Sequence, residues 1–333
     1  MTARPAAPVT ALITGITGQD GGYLTERLLA EGVTVHGLAW QSAESSRFQA
    51  RFPTVALHAG DLAEPATIAA LIDRLRPDEV YNLAAVSSVA QSWQDPLRTA
   101  QVSGLGAVGV MQACLDLQHR LDRPVRLLQA SSAEIFGDPA EAPQHESTPI
   151  RPTTPYGAAK AYAHQMAGVL RSRGLRVATG ILYNHESPRR PETFVTRKIT
   201  AAAARIATGR QRRLVLGNLA ARRDWGWAPD YVDAMVRANR HPTPDDYVIA
   251  TGVSHTVADF VEAAFRAAGV PNWQELVDVD AGYVRPVDAA EQRGDAGKAH
   301  QVLGWWPTKD FTGVVTAMVE ADLRELSGLR EIP

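Results

Sequence analysis

The chain has 333 residues, 45% of them hydrophobic, and a formal net charge of −2. This length suffices for a large core and for two lobes, and the near-neutral charge argues against nucleic acid or an anionic membrane as a partner. Cys114 is the one cysteine, and the nine histidines show no zinc-like spacing, so we predict neither a disulfide within the chain nor a metal site. We recognise no signal peptide and no apolar run long enough to span a membrane, and therefore expect a reduced, soluble, cytoplasmic protein.

The start of the chain predicts a dinucleotide site. Residues 9–14 form a short apolar run that we interpret as a buried strand. Gly15, Gly18 and Gly21 follow at intervals of three, and a helix with an apolar face comes next. Glycines in this position let the backbone approach a pyrophosphate, whose charge the helix N-terminus stabilises. Glycines also mark ordinary turns, so the prediction depends on their place directly after the first strand.

The end of the second predicted strand, residues 33–40, leaves the choice of dinucleotide open. An Asp or Glu there is typical of NAD enzymes, and an Arg is typical of NADP enzymes. This chain has Trp40 and Gln41 instead. Arg47 or Arg51 could fold back from residues 42–53, a polar segment that we predict to be a loop.

The third predicted strand, residues 55–62, ends in Asp61 and Leu62. Asp61 could accept a hydrogen bond from the adenine amino group while Leu62 packs on the ring, or Asp61 could cap the next helix. Further strands are predicted at residues 78–85, 125–132 and 177–184, with helices at 96–119 and from 155 onward. This alternation predicts an α/β fold with a doubly wound parallel sheet, the Rossmann arrangement.

The fifth strand delivers two reactive side chains to the C-terminal edge of the sheet, where such sheets bind ligands. They are the hydroxyl of Ser132 and the carboxylate of Glu134. Tyr156 and Lys160 lie on one face of the next helix, one turn apart. An ammonium nearby stabilises phenolate, so Tyr156 could take a proton from a sugar hydroxyl. A Tyr-x-x-x-Lys spacing also occurs by chance on ordinary surface helices.

After residue 184 the prolines and charges predict a smaller, discontinuous α/β domain. We assign residues 1–183 and roughly 225–252 to dinucleotide binding, and residues 184–224 and 253–333 to substrate binding. The basic side chains available to a diphosphate are Arg189, Arg190, Arg197, Lys198, Arg222, Arg223 and Arg285. Most of them are expected to be solvated or in ion pairs, and Arg223 and Arg285 are favoured.

Several segments resemble the extended short-chain dehydrogenase/reductase family and, within it, the family of GDP-mannose 4,6-dehydratases. The segments are ITGITGQDGGYLTERLL, PDEVYNLAA, NHESPRRPETFVTRKIT, LGNLAARRDWG and DDYVIATGVSHTV. The resemblance implies that Tyr156 and Lys160 are the catalytic pair, that Glu134 is the base at C5 of the sugar, and that Ser132 replaces a threonine. It implies a dinucleotide site at Gly15, Gly18, Gln19, Asp20, Gly21, Asp61, Leu62, Tyr156 and Lys160. It implies substrate contacts at Asn184, Val195, Lys198, Arg223 and Arg285.

Departures from this family keep part of the prediction open. Trp40 and Gln41 stand where the family has an arginine pair that binds the NADP 2′-phosphate and helps to build a tetramer. The residues from Val86 to Ser88, Trp227, and those from Asp288 to Gln292 also differ. The family implies NADP, the loss of the arginine pair makes NAD plausible, and the sugar nucleotide could differ from GDP-mannose.

The predicted reaction is a redox-neutral loss of water from a nucleotide hexose, with tightly bound NADP or NAD. One alternative is a sugar-nucleotide 4-epimerase or reductase, which needs no base at C5. Another is a catalytically silent dinucleotide sensor, which should have lost Tyr156 or Lys160. By resemblance, helices 96–119 and 155–172 would pair with a second copy in a homodimer or homotetramer.

Overall fold

A computed structural model describes residues 9–40, 42–280, 282 and 289–328. The chain divides into two compact units. The described residues of the first unit lie within Met1–Ser131, Ala158–Gly180 and Met235–Asp246, and those of the second lie within Ser132–Gly157, Ile181–Ala234 and Tyr247–Pro333. The boundary predicted between residues 183 and 184 divides the chain by the ligand that each part would bind, whereas these two units are defined by compactness. The functional division therefore stays a prediction. No helix in the described part of the chain is both long and apolar enough to cross a membrane.

Strands and helices alternate through the first half of the chain. The described strands are β1 (Thr10–Thr14), β2 (Thr34–Ala39), β3 (Ala56–Ala59), β4 (Glu79–Asn82), β5 (Arg126–Ala130), β6 (Arg176–Leu182), β7 (Asn184–Glu186), β8 (Leu214–Leu216), β9 (Arg222–Trp227), β10 (Asp246–Ile249), β11 (Ser254–Thr256), β12 (Val277–Val279) and β13 (Glu291–Gln292). The described α-helices are α1 (Gln19–Ala30), α2 (Ala43–Arg51), α3 (Pro65–Leu75), α4 (Val89–Gln94), α5 (Pro96–Thr99), α6 (Ala107–Leu121), α7 (Pro155–Ser172), α8 (Val195–Ala207), α9 (Ala228–Arg240), α10 (Val257–Ala267) and α11 (Phe311–Leu326).

The main sheet confirms the predicted doubly wound architecture. Its seven strands run in the order β10-β6-β5-β4-β1-β2-β3, and the pairs among β1 to β6 are parallel. Ala11, Leu12 and Ile13 of β1 are fully buried, as expected for a strand flanked by other strands and covered by helices. Parallel pairing brings the C-terminal ends of these strands to one edge of the sheet.

The predicted loop at residues 42–53 is wrong, because residues 43–51 form helix α2. Ser42 caps this helix by accepting a hydrogen bond from the backbone N–H of Ser45. Phe48 is buried and its ring lies 4.8 Å from that of Phe52. One cap and one apolar anchor therefore suffice to order a polar segment.

The predicted helix at residues 96–119 is confirmed in its extent but is not uniform. A π-helical segment, Ala100–Gly106, joins α5 to α6. A side chain at Gly106 would place its Cβ 2.6 Å from the carbonyl oxygen of Leu62. This close contact helps to bury Leu62, which is 2% exposed.

The second unit is built around strand β9. Strand β11 pairs with β9 antiparallel, and β7 and β13 pair with it parallel. Trp225 of β9 packs edge-on against Phe260 of α10, within a core that also includes apolar side chains of α8 and α11. This core fixes β9 and, through it, the two residues of β13.

We expect Gly21→Ala to destabilise the protein, because the new Cβ would lie 2.4 Å from the carbonyl oxygen of Ile16. Overpacking of this kind costs about 1–3 kcal/mol. The matched control is Gly168→Ala in α7, where nothing lies within 4 Å of the added Cβ and alanine should stabilise by about 0.4–1 kcal/mol. Urea unfolding measures both effects. A Gly21→Ala protein as stable as the wild type would contradict the contact.

Candidate active site

The glycine-rich turn after β1 has the geometry that a pyrophosphate requires. Gly15 has a φ of +68°, and a Cβ there would lie 2.9 Å from backbone atoms of Ala84. Gly18 is the N-cap residue of α1 and, as a glycine, has no side chain that could cap the helix. Backbone therefore forms the surface of the turn at the start of α1, where the helix dipole favours an anion.

Lys160 is a buried cation in the same unit as this turn. Its side chain is 3% exposed, and Nζ donates a hydrogen bond to the carbonyl oxygen of Ala130 at 2.9 Å. Burial lowers the pKa of Lys160 to about 8, while the negative charge of Asp20 acts in the opposite direction. The hydrogen bond ties helix α7 to the last residue of strand β5.

A cation that the sequence analysis did not predict, Arg98, lies beside the residues that follow strands β2 and β3. The guanidinium of Arg98 lies 5.1 Å from the ring centroid of the exposed Trp40, and it forms an ion pair with Asp61 at 2.5 Å. Asp61 also accepts from the backbone N–H of Ala63. Asp61 is not the cap of α3, whose N-cap residue is Glu64. No local pattern points to Arg98, since it comes from α5 and is distant from Trp40 in the chain.

The structure also places Arg51, Gln19 and Asp20, which the sequence analysis considered for the dinucleotide. Arg51 forms an ion pair with Glu26 at 2.7 Å and does not fold back toward Trp40. Gln41 lies outside the described residues. Gln19 and Asp20 are the first two residues of α1, directly after the glycine-rich turn.

The structure brings Ser132, Glu134 and the start of α7 together in the second unit. Ser132 follows the end of β5 and accepts a hydrogen bond from the N–H of Glu134 at 3.2 Å, which caps a short 3₁₀ turn. A Cβ at Gly157 would lie 2.5 Å from the carbonyl oxygen of Glu134. The first turn of α7, which includes Tyr156, thus packs directly on the backbone of Glu134. Both Ser132 and Glu134 are partly exposed and Tyr156 is buried.

A second contact holds the Glu134 side chain. The amide Nε2 of Gln292 donates to Oε1 of Glu134 at 3.5 Å, and Gln292 is 3% exposed. The two residues are separated by 158 positions in the chain. The sequence marked Gln292 as a departure from the family but gave no signal of this contact.

The predicted substrate residues lie on the core elements of the second unit. Asn184 begins β7 opposite Trp225 of β9, and Val195 begins α8. Lys198 donates from Nζ to the carbonyl oxygen of Val215 at 2.7 Å. Arg223 is 7% exposed and donates to the carbonyl oxygen of Ala289 at 2.8 Å.

Several other predicted basic candidates are engaged in ion pairs. Arg197 pairs with Asp322 at 2.6 Å, and both side chains are buried. Arg190 lies 3.3 Å from Glu186 and over the ring of Phe194. Arg197 therefore joins α8 to α11 through an ion pair, which is what we expected of most of these basic residues. Arg285 lies outside the described residues.

No group of three or more His, Cys, Asp or Glu side chains among the described residues is placed to hold a metal ion.

The pKa of Lys160 predicts how its contribution to stability changes with pH in the nucleotide-free protein. Its folded pKa of about 8 lies below the ordinary value of 10.5, so between these values the unfolded chain binds more protons and stability increases with pH. The difference in unfolding free energy between wild type and Lys160→Met should thus shift in favour of wild type by up to about 3 kcal/mol from pH 7 to pH 10.5. Denaturant unfolding at several pH values measures it. A difference that does not vary with pH would contradict the burial of the ammonium.

The chain is similar to known proteins in sequence and in fold. The sequence model of the family described as GDP-mannose 4,6 dehydratase matches residues 12–318. GDP-mannose 4,6 dehydratase 1 of Arabidopsis thaliana is 45% identical over 326 residues, which cover 94% of this chain and 89% of that protein.

Two solved structures show the same fold over nearly their whole length. The UDP-glucose 4-epimerase of Thermus thermophilus, in complex with NAD, has a TM-score of 0.81 and 25% identity, and the match covers 94% of this chain and 99% of that one. RMD from Pseudomonas aeruginosa, complexed with NADPH, has a TM-score of 0.78 and 25% identity, with coverages of 96% and 98%. Since the family model spans nearly the whole chain and the plant relative shares almost half of its residues, the chain belongs to the GDP-mannose 4,6-dehydratase family.

Proposed function

We propose that this protein removes water from GDP-mannose and forms the 4-keto-6-deoxy sugar nucleotide without net oxidation. The observation that supports this best is the packing of Glu134 against the first turn of α7, next to Tyr156. An epimerase or reductase that acts at C4 alone needs no such second base. The choice of GDP-mannose follows the plant relative, whose name specifies it.

Tyr156 acts at C4 of the sugar in this proposal. As phenolate it removes the proton of the C4 hydroxyl while C4 is oxidised to a ketone. Lys160 follows one turn later on α7, and its ammonium favours the phenolate. Ser132 donates a hydrogen bond from its hydroxyl to the same sugar oxygen.

Glu134 acts at C5 and C6. The ketone at C4 makes the C5 hydrogen acidic, and Glu134 removes it as a proton. The protonated Glu134 then donates that proton to the C6 hydroxyl, which leaves as water. One carboxylate thereby serves first as base and then as acid, and it returns to its starting protonation state. C5 takes up a proton from solvent as the hydride reaches C6, and Tyr156 releases to solvent the proton that it took from the C4 hydroxyl, which balances the reaction.

We infer that the residues predicted for the cofactor hold a nicotinamide dinucleotide. The backbone of Gly15, Gly18 and Gly21 and the start of α1 at Gln19 and Asp20 would hold the pyrophosphate. Asp61 and Leu62 would contact the adenine, and Tyr156 and Lys160 the nicotinamide end. When bound, the nicotinamide supplies the acceptor of the C4 hydride and its donor to C6. The similar solved structures hold NAD or NADPH, so we propose NAD(P), and the mass of the dinucleotide released on denaturation decides between them.

We assign the sugar nucleotide to the remaining predicted residues. Asn184, Val195, Lys198, Arg223 and Arg285 would bind the nucleoside diphosphate. The cations among them, Lys198, Arg223 and Arg285, suit phosphate oxygens. This extends the proposed division of labour, with residues 1–183 and roughly 225–252 for the dinucleotide and 184–224 and 253–333 for the substrate.

We also propose that the protein assembles as a homodimer or homotetramer. Four large apolar side chains are exposed on two neighbouring stretches of the first unit: Leu97, Leu105, Tyr162 and Val169. They belong to α5, the π-helical segment and α7, and burial against a second copy would remove them from water. Light scattering should give a molar mass of two or four chains, and a monomer would contradict this.

Glu134→Gln should separate the two halves of the reaction. The amide cannot take up the C5 proton, so water loss should fall by about 10²–10⁴-fold, while C4 oxidation proceeds. Single-turnover mixing with GDP-mannose measures both, through the absorbance of reduced nicotinamide and the mass of the product. Reduced nicotinamide should accumulate in the variant and should not decay.

The control for this experiment is Glu141→Gln, whose carboxylate is 59% exposed in the same stretch of the second unit. It should behave like the wild type. Normal water loss by Glu134→Gln would refute the role of this carboxylate, and a wild-type product of unchanged mass would favour an epimerase.

A further inference from the structure

The segment of residues 289–295 is fastened to the segment that follows Glu134. The backbone N–H of Gln144 donates to the carbonyl oxygen of Arg293 at 2.8 Å, and that of Asp295 donates to the carbonyl oxygen of Gln144 at 2.8 Å. The side chain of Arg293 donates to the carbonyl oxygen of Ala142 at 3.0 Å. These contacts fix the register between the two segments.

The other side of this segment is fixed by strand pairing. Gln292 of β13 lies opposite Arg223 of β9 in the parallel pair. Side chains alternate along a strand, so Glu291 and Arg293 project away from Gln292. Glu291 lies 3.6 Å from Arg222 and 3.7 Å from Arg293. The buried Gln292 therefore has little freedom, and its amide Nε2 is directed at Glu134 Oε1.

We propose that Gln292 is a positioning residue that aims the Glu134 carboxylate at C5 of the sugar. The inference rests on the proposed function. Gln292 does not touch the reacting atoms in this account, because it acts through its amide N–H on one carboxylate oxygen and leaves the other oxygen to face the substrate.

The chemistry of the step explains why a neutral donor suits this position. Glu134 must be ionised when it removes the C5 proton and must hold that proton until water leaves. A lysine or arginine at 292 would favour the ionised form throughout and would oppose the second half of the step. A leucine would leave the carboxylate without an anchor. An amide holds the oxygen in place and tolerates both protonation states.

The surrounding elements supply the other groups that titrate or carry charge near this pair. They are Tyr156 on α7, Arg223 on β9, Asp138 after the 3₁₀ turn, and Glu291 and Arg293 on either side of Gln292. Asp138 accepts from the backbone N–H of Ala290 at 3.4 Å, and Arg223 donates to backbone carbonyls. In the described part of the chain, the Gln292 amide is the neutral group that donates a hydrogen bond to the side chain of Glu134.

The test compares Gln292→Leu and Gln292→Glu with the wild-type holoenzyme in single-turnover mixing with GDP-mannose across pH. In Gln292→Leu, water loss should slow about tenfold, the kinetic equivalent of one neutral hydrogen bond, while C4 oxidation keeps its rate. The acid limb of the water-loss step should move to higher pH, since the ionised carboxylate has lost a donor. Gln292→Glu should move it further, because two carboxylates would face each other.

Gln144→Leu is the structural control. Gln144 is fully buried, and its side chain accepts a hydrogen bond from the backbone N–H of Arg293 and donates one to the carbonyl oxygen of Glu141. Its variant loses these two bonds and keeps the backbone bonds to the segment, so it should lower the melting temperature without moving the acid limb. The inference is overturned if Gln292→Leu keeps the wild-type rate and acid limb, or if it slows both steps equally. If the wild type itself releases no water, the proposed function fails, and this inference fails with it.

Discussion

The hydrogen bond between the buried ammonium of Lys160 and the carbonyl oxygen of Ala130 is the contact on which the attachment of helix α7 to strand β5 depends. An ammonium removed from water is costly, and its lowered pKa is the measure of that cost. This hydrogen bond holds helix α7 against the last residue of β5. Ser132 and Glu134 leave the strand immediately after that residue, and Tyr156 precedes Lys160 by one turn of helix.

Small residues then allow the groups to approach. Gly157 lets the first turn of α7 lie against the backbone of Glu134, and Gly15 lets the first turn of the dinucleotide-binding segment lie against β4 and its extension. Two different electrostatic environments result. The phenol of Tyr156 shares a helix face with a cation, whereas the carboxylate of Glu134 meets a neutral hydrogen-bond donor. The first environment favours the phenolate that takes a proton from the C4 hydroxyl in the proposed reaction, and the second permits the carboxylate to take up a proton and release it.

Much of this fold could be predicted from the sequence, because its determinants are local. Short apolar runs followed by glycine or by polar residues marked the strands, and Tyr156 with Lys160 marked a helix face. The polar character of residues 42–53 led to the wrong prediction of a loop, because the capping side chain of Ser42 and the buried Phe48 stabilise a helix there. Contacts between distant parts of the chain could not be predicted. Arg98 reaches Trp40 from another element, Gln292 reaches Glu134 across 158 positions, and Arg197 is engaged by Asp322 near the end of α11.

The central claim is that one hydrogen moves from C4 to C6 of the same sugar while another leaves C5 through Glu134. The most direct measurement uses GDP-mannose labelled with deuterium at C4 and follows the label in the product by nuclear magnetic resonance. The account predicts that deuterium is retained at C6 and that C5 acquires a solvent hydrogen. Deuterium that remains at C4 or is lost to water would contradict it.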